Sequence, residues 1–103
     1  MKISVATKRP GAPARHVWIE NSLENLQRTV GGYIECVKLC KDLAIICDEE
    51  GRLKGKEHNC SVCGYNLVGD IIVVGVQGDE FADLPCDWQV LKNLFPTLFE
   101  ESA

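Results

Sequence analysis

No stretch of this 103-residue chain is apolar for long. The longest such runs are Leu43–Cys47 and Ile71–Val76, the latter broken by Gly75, and both fall far short of the roughly 20 residues that a membrane-spanning helix needs. Met1 to Pro10 contain Lys2, Lys8 and Arg9 with no apolar core of about 7–15 residues behind them, so no secretory signal is read there and a cytoplasmic location without a membrane partner is expected. Blocks of Pro, Gly or Ser are missing too, which excludes a disordered linker. An excess of basic charge is also missing. Lys and Arg number 11 against 15 Asp and Glu, a net charge of −4, so direct nucleic-acid binding is not expected.

Catalytic signatures are equally scarce. The chain has no Gly-x-x-x-x-Gly-Lys phosphate loop, no Gly-x-Gly-x-x-Gly, no Gly-x-Ser-x-Gly elbow and no His-Glu-x-x-His, and only 2 histidines. Asp48-Glu49-Glu50 is the densest acidic group, but consecutive residues in a turn point apart and are normally hydrated. His58 and Cys60 are two positions apart, a spacing that seldom presents a base to its nucleophile. The expectation is a protein that is not an enzyme and carries no cofactor.

Hydrophobic residues make up 46% of the chain, enough for one core and one domain over residues 1–103. The 6 cysteines are read as reduced thiols, because a cytoplasmic setting disfavours structural disulfides. Cys47 lies in an apolar run and is read as a small hydrophobe. His58-Asn59-Cys60-Ser61-Val62-Cys63 places three soft donors close together and contains a Cys-x-x-Cys knuckle, half of a zinc site. A metal or thiol-redox protein built on His58, Cys60 and Cys63 is therefore the alternative to a reading with no metal.

Lys2–Ala6 alternates at period two and reads as a strand, Thr7–Pro13 as a loop, and Arg15–Ile19 as the returning strand of a hairpin. His16 is read as a strand-surface residue. Asn21 or Ser22 caps a helix carrying Leu23, Leu26 and Val30, which Gly31-Gly32 ends. Tyr33–Leu39 alternates as a third strand. Leu43–Asp48 reads as a strand buried on both faces, Asp48–Gly51 as a turn, Arg52–Tyr65 as a loop or one helical turn, and Asp70–Val76 as the last strand. Pro85 opens a helix bearing Trp88, Leu91, Leu94 and Phe95, stopped by Pro96, and Thr97–Glu101 adds a short turn or frays. The expected fold is α+β, a mainly antiparallel sheet of four to five strands with two helices packed on one face in the order ββαβββα.

Charge is unevenly distributed. Residues 1–15 carry Lys2, Lys8, Arg9 and Arg15 and no acid, whereas residues 79–103 carry Asp79, Glu80, Asp83, Asp87, Glu100 and Glu101 against Lys92, a polarity able to steer a charged partner.

Several segments together resemble the family called domain of unknown function thirty-eight forty-six, small proteins of phages, mobile elements and gut Firmicutes. They are Val30–Glu35, Cys47–Gly55, Asn59, Tyr65–Gly69, Ile71–Gly75 and Gly78–Phe81. Cys60 stands where the family pattern carries arginine, and Gly69-Asp70 replaces a Gly-Thr pair, so the Cys-x-x-Cys lies outside that pattern. The resemblance implies no established activity, cofactor or catalytic residue, and it implies a phage or mobile-element setting. Together with the missing catalytic motifs and the charge layout, it leads to a small non-enzymatic protein that binds a macromolecular partner, such as a host defence or nucleic-acid-processing protein. A small-ligand (nucleotide) sequestering protein is the third reading, and a homo-oligomer is compatible with each. The expected binding surface is Gly31, Gly32, Tyr33 and Glu35 beside Asp48, Glu49, Glu50 and Asn59, because tyrosine is favoured at interfaces and glycine permits close backbone approach.

Overall fold

The structure, a computed structural model, describes residues 1–100. Its strands are β1 (Lys2–Lys8), β2 (Arg15–Glu20), β3 (Ile34–Cys40), β4 (Leu43–Asp48), β5 (His58–Val62), β6 (Tyr65–Val68), β7 (Ile71–Gln77) and β8 (Glu80–Ala82), and its helices are α1 (Leu23–Val30) and α2 (Trp88–Leu94), followed by a 3-10 turn at Pro96–Phe99. The main sheet runs β2-β1-β7-β4-β3, with β8 added to β7, and every pairing is antiparallel. The α+β class and the antiparallel sheet agree with the expectation. The expected short turn after Pro96 is the 3-10 turn, and Glu101 lies outside the described residues.

Both faces of the sheet are covered, which is why β4 and β7 read as unbroken apolar runs. Ile45, Cys47, Ile71 and Val73 point to one face, into a core with Cys60, Val62, Leu67, Leu91 and Leu98. Ile46, Ile72 and Val74 point to the other, where Leu26 and Val30 of α1 close a second core with Ile3 and Val5. The two helices therefore lie on opposite faces rather than on one. The physical reason is the strict alternation of apolar side chains along β4 and β7: each face needs its own cover, and eight residues of α1 cannot supply both.

Arg52–Tyr65 also differs from the loop expected there. Its second half forms β5, which pairs with β6 as a separate two-stranded sheet lying over the first core. A register shift between His58 and Cys60 turns Asn59 and Cys60 both inward, which erases the period-two pattern. Ser22, of the two candidate caps, accepts from the Asn25 N–H at 3.2 Å, and Gly31 closes α1 in the left-handed conformation at φ 81°. The last helix starts later than Pro85 suggests, at Trp88, because Asp87 supplies the cap by accepting from the Val90 N–H.

Candidate functional site

The expected surface divides into a buried clamp, an open cleft with Tyr33 just beyond it, and Asn59, which lies apart. The clamp is built on Asp48, at the end of β4, which is only 4% exposed. Its carboxylate accepts from Lys54 Nζ at 2.9 Å, from Lys56 Nζ at 2.7 Å and from the Glu50 N–H at 2.9 Å. The same ammonium groups donate to the last carbonyls of α1, Lys54 to Gly31 at 3.2 Å and Lys56 to Val30 at 2.7 Å. Two lysines thus satisfy orphan carbonyls at the negative end of the helix and tie it to β4. Burial alone would raise the Asp48 carboxyl, but the hydrogen bonds from Lys54, Lys56 and the Glu50 N–H outweigh it and hold it well below the usual carboxylate range.

This clamp explains Gly32. A Cβ there would meet the Asp48 carboxylate and the Lys54 ammonium inside contact distance. Gly32 therefore packs directly on the Asp48 carboxylate, while Gly31, which stays exposed, meets the clamp through its carbonyl and Lys54. Glu50 contributes its backbone N–H to the turn, and its side chain is exposed.

Next to the clamp is a cleft of about 300 Å³. Glu35, Val37 and Cys47 of the sheet form its floor, and Arg52, Leu53, Tyr65 and Leu67 stand around it, with Glu49 at the β4 end. Arg52 donates to the Asn66 carbonyl, which covers part of the outer edge of β6. Tyr33 lies just beyond, where its carbonyl accepts from the Glu49 N–H at 2.8 Å. Three large side chains around this end stay in solvent: Tyr33 at 67% exposed, Leu53 at 87% and Tyr65 at 48%. The Cys47 thiol in the floor is pushed up to about 11 by burial, with the neighbouring Glu35 and Asp48 charges adding to the effect. It stays protonated and is no nucleophile at neutral pH.

Asn59 lies apart from the cleft. Its side-chain oxygen accepts from Lys8 Nζ at 2.7 Å, and its amide donates to the Lys8 carbonyl at 2.9 Å and the Gly69 carbonyl at 2.7 Å, all in the interior. It fastens β5 to β1 and to the turn after β6, a structural role. His58 and Cys63 are exposed while Cys60 is buried in the core, and among the described residues no group of three or more His, Cys, Asp or Glu side chains is placed to hold a metal ion.

Of the residues singled out in the sequence, Glu35, Asp48 and Glu49 line the cleft and Tyr33 stands beside it, whereas Arg52, Leu53 and Tyr65 of the cleft and Lys54 and Lys56 of the clamp were not singled out. The signal was present in Lys54-Gly55-Lys56, two cations flanking a turn glycine just after an acidic cluster, but these residues carry no periodicity. Their relation to the α1 terminus depends on a contact across more than twenty positions.

The site and fold together define a small α+β domain with a two-sided antiparallel sheet and a solvent-exposed cleft at one end. The chain belongs to the family described as Domain of unknown function (DUF3846), whose model matches residues 1–95. No curated protein and no solved structure matches it. Among the described residues, no helix is long and apolar enough to cross a membrane.

Proposed function

We propose that this protein is a non-catalytic cytoplasmic binding module that engages a partner protein through the cleft between β3–β4 and the β5–β6 hairpin. The observation that carries the reading is the exposure of Tyr33, Leu53 and Tyr65 around a cleft whose free acids are Glu35 and Glu49. Large apolar and aromatic side chains left in water at a concave place favour a macromolecular contact. The carboxylates select for the partner's charge, so the matching segment is apolar with flanking basic residues. The same carboxylates disfavour a phosphate-bearing ligand, which argues against nucleotide sequestration. In the setting that the family resemblance implies, the partner is a host defence or nucleic-acid-processing protein whose activity is modulated by being covered.

The test is site-specific photo-crosslinking in the native host, with the crosslinking side chain at Leu53 or, on the outer surface of α2, at Gln89. A discrete adduct is expected from position 53 and none from 89, and the adduct is lost when Tyr65→Ala and Glu35→Gln are combined. Absence of an adduct at 53, or its persistence in the double variant, overturns the reading.

A further inference from the structure

The two outer strands of the main sheet are not equivalent. β3 is interrupted by a register shift between Lys38 and Cys40 and carries Glu35 and Lys38 on its exposed positions, features that discourage edge-to-edge pairing. β2 has none of these protections in its interior. Its register with β1 is unbroken from Lys2 opposite Glu20 to Thr7 opposite Arg15, and its centre is Val17-Trp18-Ile19 with no proline. Trp18 in the middle is 58% exposed, and no described strand lies on the outer side of β2.

The direction of the β2 backbone follows from its neighbour. Ser4, opposite Trp18, donates its N–H to Asp83 Oδ1 at 2.8 Å and accepts from the Leu84 N–H at 2.8 Å, so both its backbone groups point away from β2. In an antiparallel ladder, two opposed residues either face each other or both face away. Trp18 therefore turns its N–H and C=O to the free edge, and so do His16 and Glu20 at the two-residue period. The Glu20 carbonyl is already used by the Ser22 N–H at 2.9 Å, and the other outward groups are without a strand partner.

This set is symmetric about Trp18. We infer that β2 pairs antiparallel with β2 of a second copy of this chain around a two-fold axis at Trp18. In that register Trp18 meets its own counterpart and exchanges two backbone hydrogen bonds with it. Val17 lies opposite Ile19 on the α1 face, and His16 lies opposite Glu20 on the other, so no like charges are brought together. A two-fold contact must be self-complementary in this way. The resulting assembly is one continuous sheet with β3 and its cleft at each outer end, which leaves both proposed partner sites open and makes the dimer bivalent.

Light scattering coupled to size exclusion, over a dilution series of the full chain, tests the inference. The expected mass is twice the 11.4 kDa of the monomer at high concentration, falling toward 11.4 kDa on dilution. Trp18→Lys and Trp18→Glu, each with unchanged far-UV circular dichroism, place like charges at the axis and lose the dimer, and mixing the two restores it. A wild type that is monomeric throughout, or charge variants that remain dimeric, overturns the inference. Hydrogen exchange on the unsubstituted protein decides independently of those variants. The His16 and Trp18 amides gain protection as concentration rises, and protection independent of concentration overturns it. The Leu53 crosslink does not depend on this edge, so failure here leaves the partner reading standing.

Discussion

Asp48 shows how much one buried charge organises. A carboxylate out of water is tolerated because two ammonium groups and a backbone N–H reach it, and those same ammonium groups finish the helix that precedes β3. Asp48→Asn removes the charge and leaves Lys54 and Lys56 with a neutral acceptor. Breaking a fully buried pair costs about 3–5 kcal/mol. Here the lysine side chains keep 41% and 24% of their exposure, so a loss on the order of 2 kcal/mol is expected in denaturant titration. The sign of the pH dependence follows from the lowered carboxyl. Its contribution is present above the unfolded value of about 3.9 and disappears as pH falls through the folded value. Stability should therefore decline from about pH 5 downward. The Asn variant should decline less steeply, and parallel curves would show that Asp48 is not the group responsible.

Elements were legible in the sequence where one physical signal dominated. The run at Leu43–Asp48 announced a strand covered on both faces and that at Asp70–Val76 a strand, and Ser22 and Gly31 bounded α1 because a side-chain acceptor and a residue free to adopt positive φ have few other uses there. The β5–β6 hairpin was hidden for two reasons. The register shift at His58–Cys60 breaks alternation, and the connecting turn is Cys63-Gly64, both at positive φ (49° and 83°), in place of the usual Asn-Gly. The candidate site suffered the same way. Its cleft depends on Tyr65 and Leu67 arriving over β4, so without the hairpin only the sheet half of the site, Glu35 and Asp48–Glu49, was readable. The turn makes a prediction of its own. A non-glycine residue at positive φ is strained unless its side chain bonds locally, as asparagine's does. Cys63→Asn should raise stability by a few tenths to about 1 kcal/mol, and Cys63→Val should lower it. Thermal unfolding of the two variants checks the order. Equal melting temperatures would mean that the turn conformation is not what limits the hairpin.

At the scale of the molecule, two cores share one sheet. Leu26 under α1 and Leu98 in the 3-10 turn lie on opposite faces and belong to separate clusters, yet each cluster rests on β4 and β7. Loss of either cover exposes one side of the same central strands, whose other side is then held by a single core. Strands that serve both layers cannot unfold for one and remain for the other, so the domain should melt as one cooperative unit. Leu26→Ala and Leu98→Ala each remove a fully packed side chain and are expected to cost about 2–5 kcal/mol. Both should shift one common transition, followed in a Trp18→Phe background by far-UV circular dichroism for the sheet and by fluorescence of Trp88, which sits only in the Leu98 core. If the layers were independent, Leu26→Ala would move the circular dichroism curve and leave the Trp88 signal in place. Coincident curves in both variants would show that β4 and β7 transmit the loss from one face to the other.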